Sequence, residues 1–200
     1  MAKRISEWLR RISTGWVALV AVLIFLLFTA LVLPQQALKA ERETGSVESP
    51  DTSFFYAPGD LYRIAESYGE QGRQAYVRAR FTFDLVWPLV YTLFLLTAIS
   101  WVFGKAFAPE SRWQRANLAP LLGALFDYME NLSTSLVMLR YPQQTPVVDL
   151  LAPLFTALKW GFLGASFLLL FAGILVAIWR WAAGKAGGRD LGSNDGGAGA

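Results

Sequence analysis

Residues Thr14–Leu33 read TGWVALVAVLIFLLFTALVL, twenty positions without a charge. An α-helix rises about 1.5 Å per residue, so such a run crosses the ~30 Å hydrocarbon core of a bilayer. A secretory signal has a shorter apolar core, about 7–15 residues, and an A-x-A-like cleavage site. Ala37 and Ala40 lie one position too far apart for that site. The run therefore predicts an uncleaved transmembrane helix, stopped by Pro34.

The rest of the 200-residue chain agrees with this first span. It is 54% hydrophobic and only 16% charged, whereas soluble domains carry about 25% charged residues. Such a composition excludes disorder for the bulk of the chain. The net charge of +3 is mild, and the basic residues edge the apolar runs instead of gathering on one soluble face, which excludes a nucleic-acid partner. There is no Cys and no His. Disulfide chemistry, thiolate metal sites and the commonest general base are thereby removed, and no cofactor or metal is implied.

Three further apolar runs follow, over 81–103, 117–139 and 154–178. The predicted fold is an all-α integral membrane protein, a four-transmembrane-helix bundle forming a single membrane domain over 1–183. Pro88 should loosen the second span. The last apolar stretch, Val147–Trp181, is longer than one span needs, and Pro153 is its natural boundary. Trp179, Arg180 and Trp181 resemble an interfacial anchor. The Gly-rich segment 184–200 is expected to be disordered.

Between the first two spans lies an outer segment, 35–80. Its first part is polar. From Asp60, a plausible N-cap, a helical pattern sets Leu61, Ile64, Ala65, Tyr68, Gly72, Ala75, Tyr76 and Ala79 on one face. This predicts an amphipathic helix lying at the membrane interface.

An even number of spans puts both termini on one side. That side carries Lys3, Arg4, Arg10, Arg11, Lys105, Arg112, Arg115, Arg180, Lys185 and Arg189 in acid-poor segments. The other side carries seven basic residues diluted by acids. Basic residues favour the cytoplasmic face. The expected location is the cell (inner) membrane, with both termini cytoplasmic.

Against this background a few residues are out of place. A charge at the bilayer centre costs about 2.5–3.5 kcal/mol on insertion scales. The third span nonetheless holds Asp127 and Glu130 near its midpoint, and with Asn131 and Thr134 they fall on one helical face. That stripe must face the bundle interior. Lys159 of the fourth span is the basic residue deepest in an apolar run, and the second span offers Asp84, Trp87 and Tyr91, with Arg80 at its outer end. The expected site is one polar cluster of Arg80, Asp84, Tyr91, Asp127, Glu130, Asn131 and Lys159. Its three acids meet two bases, so one carboxylate is formally surplus, to be protonated or to hold a cation.

Three functions fit this reading. The first is a carrier or binding protein for a small cation, a proton or a polar headgroup, working as a single chain or a homo-oligomer in the lipid bilayer. The second is an accessory or assembly protein, with a membrane partner, whose buried charges only fix helix packing. The third is an intramembrane enzyme on a lipid-like substrate, with a carboxylate as acid or base. Its catalytic residues are not identified by the pattern.

Overall fold

The computed structural model of the chain describes residues 1–50 and 53–191. Among these the protein is predominantly helical, without a strand. Three described stretches are long and apolar enough to cross a membrane: Gly15–Thr44, Pro58–Ala106 and Val148–Lys185.

Helix α1 (Ala2–Ile12) precedes the first span. Ile5, Trp8, Leu9 and Ile12 share one face, and Lys3, Arg4, Arg10 and Arg11 share the other. The Ser6 hydroxyl donates to the Gln114 carbonyl at 3.0 Å, and the Asn117 amide donates to the Ser6 carbonyl at 3.3 Å. These bonds tie α1 to the 3-10 helix Arg112–Leu118.

The first span comprises α2 (Gly15–Leu27), a π turn (Phe28–Val32) and α3 (Leu33–Thr44). The Thr14 hydroxyl caps its start by accepting the Val17 N–H. Pro34 does not stop this helix, contrary to the sequence expectation. The π turn just before it widens the hydrogen-bond spacing, so that the Leu33 N–H reaches Phe28. The ring then falls in the first turn of α3, where its missing N–H is tolerated. The helix ends at Gly45, whose positive φ of 71° suits a left-handed C-cap.

The chain returns over α4 (Pro58–Arg80), which bends at Gly69 with φ 61°. Asp60 is not the N-cap. It sits at the third helical position and accepts the Ala57 N–H at 2.9 Å. The predicted apolar face is buried at Leu61, Ile64, Ala65, Tyr68, Gly72, Ala75 and Tyr76. It is buried in protein, however. Leu61, Ile64, Ala65, Tyr68 and Tyr76 form one core cluster with Val137, Met138 and Ala152. The expectation of a helix laying this face on lipid is thus corrected. Packing on neighbouring helices dries the same face without a bilayer.

Helix α5 (Phe83–Ala106) contains Pro88. Near the bond that Pro88 cannot make, the Tyr128 hydroxyl donates to the Leu85 carbonyl at 2.9 Å. Helix α6 (Ala119–Arg140) packs against α4, α5 and α7. Helix α7 (Val148–Leu191) begins ahead of Pro153, so that proline is not its boundary. As the sixth residue of α7, Pro153 removes the i→i−4 bond to the Asp149 carbonyl, and the helix continues through it. The helix also runs through Gly184 to Leu191, into the segment expected to be disordered, while residues 192–200 lie outside the described residues.

Two expectations follow from this packing. A Cβ on Gly173 would lie 2.5 Å from a Phe103 ring carbon, whereas one on Gly164 meets nothing within 4 Å. Gly173→Ala should destabilise the protein by about 1–3 kcal/mol, read as a lower melting temperature in detergent, and Gly164→Ala should not. The second concerns residues 46–50. Arg63 binds Glu48 through two hydrogen bonds of 2.8 and 2.7 Å and holds its carboxyl below the usual glutamate range. A lowered carboxyl stabilises the fold above its unfolded pKa and loses that contribution as pH falls through the folded value. The pair is exposed, so its effect is small. The melting-temperature gap between wild type and Arg63→Gln should stay constant near neutrality and close in acid, below the ordinary glutamate range.

Candidate functional site

The seven candidate residues are each on a helix. They divide into three groups along α4–α7.

The outermost group is Arg80 with Asp84. Arg80 ends α4 and Asp84 begins α5, with Phe81 and Thr82 between. Arg80 Nη1 lies 2.7 Å from Asp84 Oδ2, and the guanidinium stacks over the Tyr76 ring at 4.3 Å. The pair therefore clamps the break between the two helices.

The second group joins α5 to α6. The Tyr91 hydroxyl donates to Asp127 Oδ2 at 2.9 Å, and the Asn131 amide donates to Asp127 Oδ1 at 3.3 Å. Tyr91 is 1% exposed and Asp127 7% exposed. Trp87 meets the Tyr91 ring edge-on at 5.7 Å.

The third group joins α6 to α7. Lys159 Nζ lies 2.5 Å from Glu130 Oε2, and the Thr156 hydroxyl donates to Glu130 Oε1 at 2.7 Å. Glu130 is only 1% exposed and Lys159 6%, so this pair is closed off. The Tyr56 hydroxyl lies 3.2 Å from that of Thr156, and the Trp160 ring lies 5.2 Å from the Lys159 ammonium. Phe54 packs on Trp160 at 5.2 Å. The outer segment thus reaches down to cover the pair.

The charge ledger read from the sequence changes accordingly. Lys159 answers Glu130, and Arg80 answers Asp84. Asp127, one helical turn from Glu130, accepts hydrogen bonds from Tyr91 and Asn131. A phenol and an amide can each serve a carboxylate in a place where water is scarce. Among the described residues no three acidic side chains gather as a metal would need.

Tyr56 and Tyr128 were not read as part of the site. Tyr56 sits in a polar loop, and nothing in its spacing marks contact with a distant Thr. Tyr128 is next to Asp127 on α6 but serves the α5 backbone. A second buried network, unread in the sequence, lies at the other end of the bundle. There the Asn117 amide donates to the Ser100 hydroxyl at 2.8 Å, and the Gln114 amide donates to the Phe103 carbonyl at 3.0 Å.

A cavity of about 480 Å³ lies between α3, α4 and the start of α5, and among the seven candidates Arg80 and Asp84 line it. The deeper groups do not. No family model matches the chain, and no curated protein or solved structure matches it either. The fold itself defines the class: a helical protein with stretches long and apolar enough to cross a membrane.

Removing one partner of a buried pair strands the other charge and costs about 3–5 kcal/mol, whereas replacing both is far milder. Glu130→Gln and Lys159→Met should therefore each lower the detergent melting temperature strongly. The double variant should recover much of the loss, giving a clear coupling energy in a double-mutant cycle.

Proposed function

We propose that the chain is a four-span membrane protein that works as an accessory or assembly component. In this reading its buried charges hold the helices in register and do not conduct. Four spans are supported by the faces of α6. Leu121, Leu125, Leu132, Leu136 and Leu139 are turned outward, while Asp127, Glu130, Asn131 and Thr134 are buried. Lipid demands this inside-out arrangement of a helix carrying a polar stripe. The moderate hydropathy of α6 is then the consequence of its inner face.

Orientation follows from charge. The Ser6–Gln114 bond sets α1 beside the α5–α6 connection, so the basic residues of both segments share one end. With the positive-inside rule, that end and both termini belong to the cytoplasm of the cell (inner) membrane. Lys105 over Trp101 and Lys185 over Trp181, at 4.9 and 4.0 Å, suit a headgroup layer at the same end.

The observation that carries the assembly reading is the Glu130–Lys159 contact. A relay or ion site needs a group that can exchange its partner for a passing ion or water. Glu130 has both oxygens engaged, by Lys159 and Thr156, inside packed helices. Its position ties α6 to α7, as the Tyr91–Asp127 bond ties α5 to α6.

Reconstitution into liposomes loaded with a pH-sensitive dye tests this. Wild type should show no proton or sodium flux above empty vesicles, and Asp127→Asn should match it. A wild-type flux that Asp127→Asn or Glu130→Gln abolishes, in a variant that still elutes and melts like wild type, would establish the carrier reading instead.

A further inference from the structure

The cavity between α3, α4 and the start of α5 is specific in its build. Its depth is set by two residues. Leu33 lies about 27 Å of helix above Gly15 at ~1.5 Å per residue, close to the hydrocarbon thickness. Phe83 begins α5 and stacks on Phe28 at 5.7 Å, about one to one and a half helical turns below Leu33 on the hydrocarbon side. Both residues line the cavity, together with Ala37. Its lower rim is therefore apolar and borders the acyl chains.

Above that rim the lining is charged. The buried Arg80–Asp84 pair contributes one wall. Lys39 and Glu43 contribute another, in an exposed pair at 4.0 Å that can open readily. Arg78 on α4 and Glu41 on α3 also line it, exposed and, among the described residues, joined in no ion pair. The two opposing helices thus present one unanswered cation and one unanswered anion. At about 480 Å³ the space falls within the ~300–1,000 Å³ of small-ligand sites.

We propose that this cavity binds one zwitterionic phospholipid, with the phosphate toward Arg78, the ammonium toward Glu41, and an acyl chain leaving past Leu33 and Phe83. A balanced set of charges disfavours a purely anionic headgroup, because Glu41 and Glu43 would repel it. An uncharged headgroup would leave Arg78 and Glu41 without gain. The apolar rim favours a lipid over a soluble zwitterion. The inference needs the chain to sit in a bilayer but is independent of the assembly role. Loss of lipid selectivity would leave the liposome result standing, and the reverse.

Native mass spectrometry of the full chain in nonionic detergent provides the test, with added phosphatidylethanolamine, phosphatidylglycerol, diacylglycerol or soluble glycerophosphoethanolamine as probes. Phosphatidylethanolamine should give a single saturable adduct at least fivefold more abundant than the other three. Arg78→Glu, which sets like charges on both walls, should reduce that adduct at least fivefold. So should Ala37→Trp, which fills the rim from an exposed helical position. Both variants should melt like wild type. Equal adducts from all lipids, full binding by either variant, or stronger binding of the soluble headgroup than of the lipid would each overturn the proposal.

Discussion

A bilayer gives a buried charge nowhere to go, and the Glu130–Lys159 pair is the protein's answer to that constraint. In the proposed four-span arrangement, insertion of α6 on its own would carry two carboxylates into the hydrocarbon. Insertion of α7 on its own would carry an ammonium. Once the two helices pack, the charges meet at 2.5 Å and Thr156 satisfies the second carboxylate oxygen. The bundle's rotational setting follows, because few rotations of α6 against α7 bring the two side chains together while leaving Leu125, Leu132 and Leu136 outward. A pair of this kind adds modest net stability, but it strongly penalises every misregistered packing.

The other polar contacts extend the same logic outward. Tyr91 brings α5 to α6 through Asp127, and Tyr128 brings α6 to α5 near Pro88, where the backbone needs a donor. Arg80 and Asp84 fasten α4 to α5 across their break. At the opposite end Asn117, Gln114 and Ser6 join α1 to the α5–α6 connection. Between these polar ends, aromatic packing fills the middle. Phe25 stacks on Phe94 at 4.5 Å, and Gly173 lets α7 approach Phe103 closely. Beside these contacts, α3, α4 and the start of α5 enclose the cavity of about 480 Å³.

Much of this was legible in the residues. The four apolar runs, the inward stripe on α6 and the buried face of α4 all follow from periodicity, which depends only on the helical repeat. Lys159 stood out because a lone ammonium in an apolar run demands an acid. Other features escaped for physical reasons. Pro34 predicts a stop in isolation, but the five-residue π turn Phe28–Val32 just before it absorbs it, and no residue pattern announces such a turn. The face of α4 says that it is buried, but lipid and protein bury an apolar face equally well. Tyr56 reached Thr156 only because the outer segment folds back over α7.

From its sequence alone this protein was bound to be helical, to seek a membrane, and to hide Asp127 and Glu130 from lipid, since each follows from transfer free energy and the helical repeat. Which acid received the lysine was not so determined. Asp127 and Glu130 share one face of α6, one turn apart, and either would satisfy Lys159 on grounds of charge. The axial offset and rotation between α6 and α7 set the ammonium 2.5 Å from Glu130, while Tyr91 and Asn131 donate to Asp127. Those two quantities arise from side-chain packing across helices distant in sequence, and no local pattern encodes them.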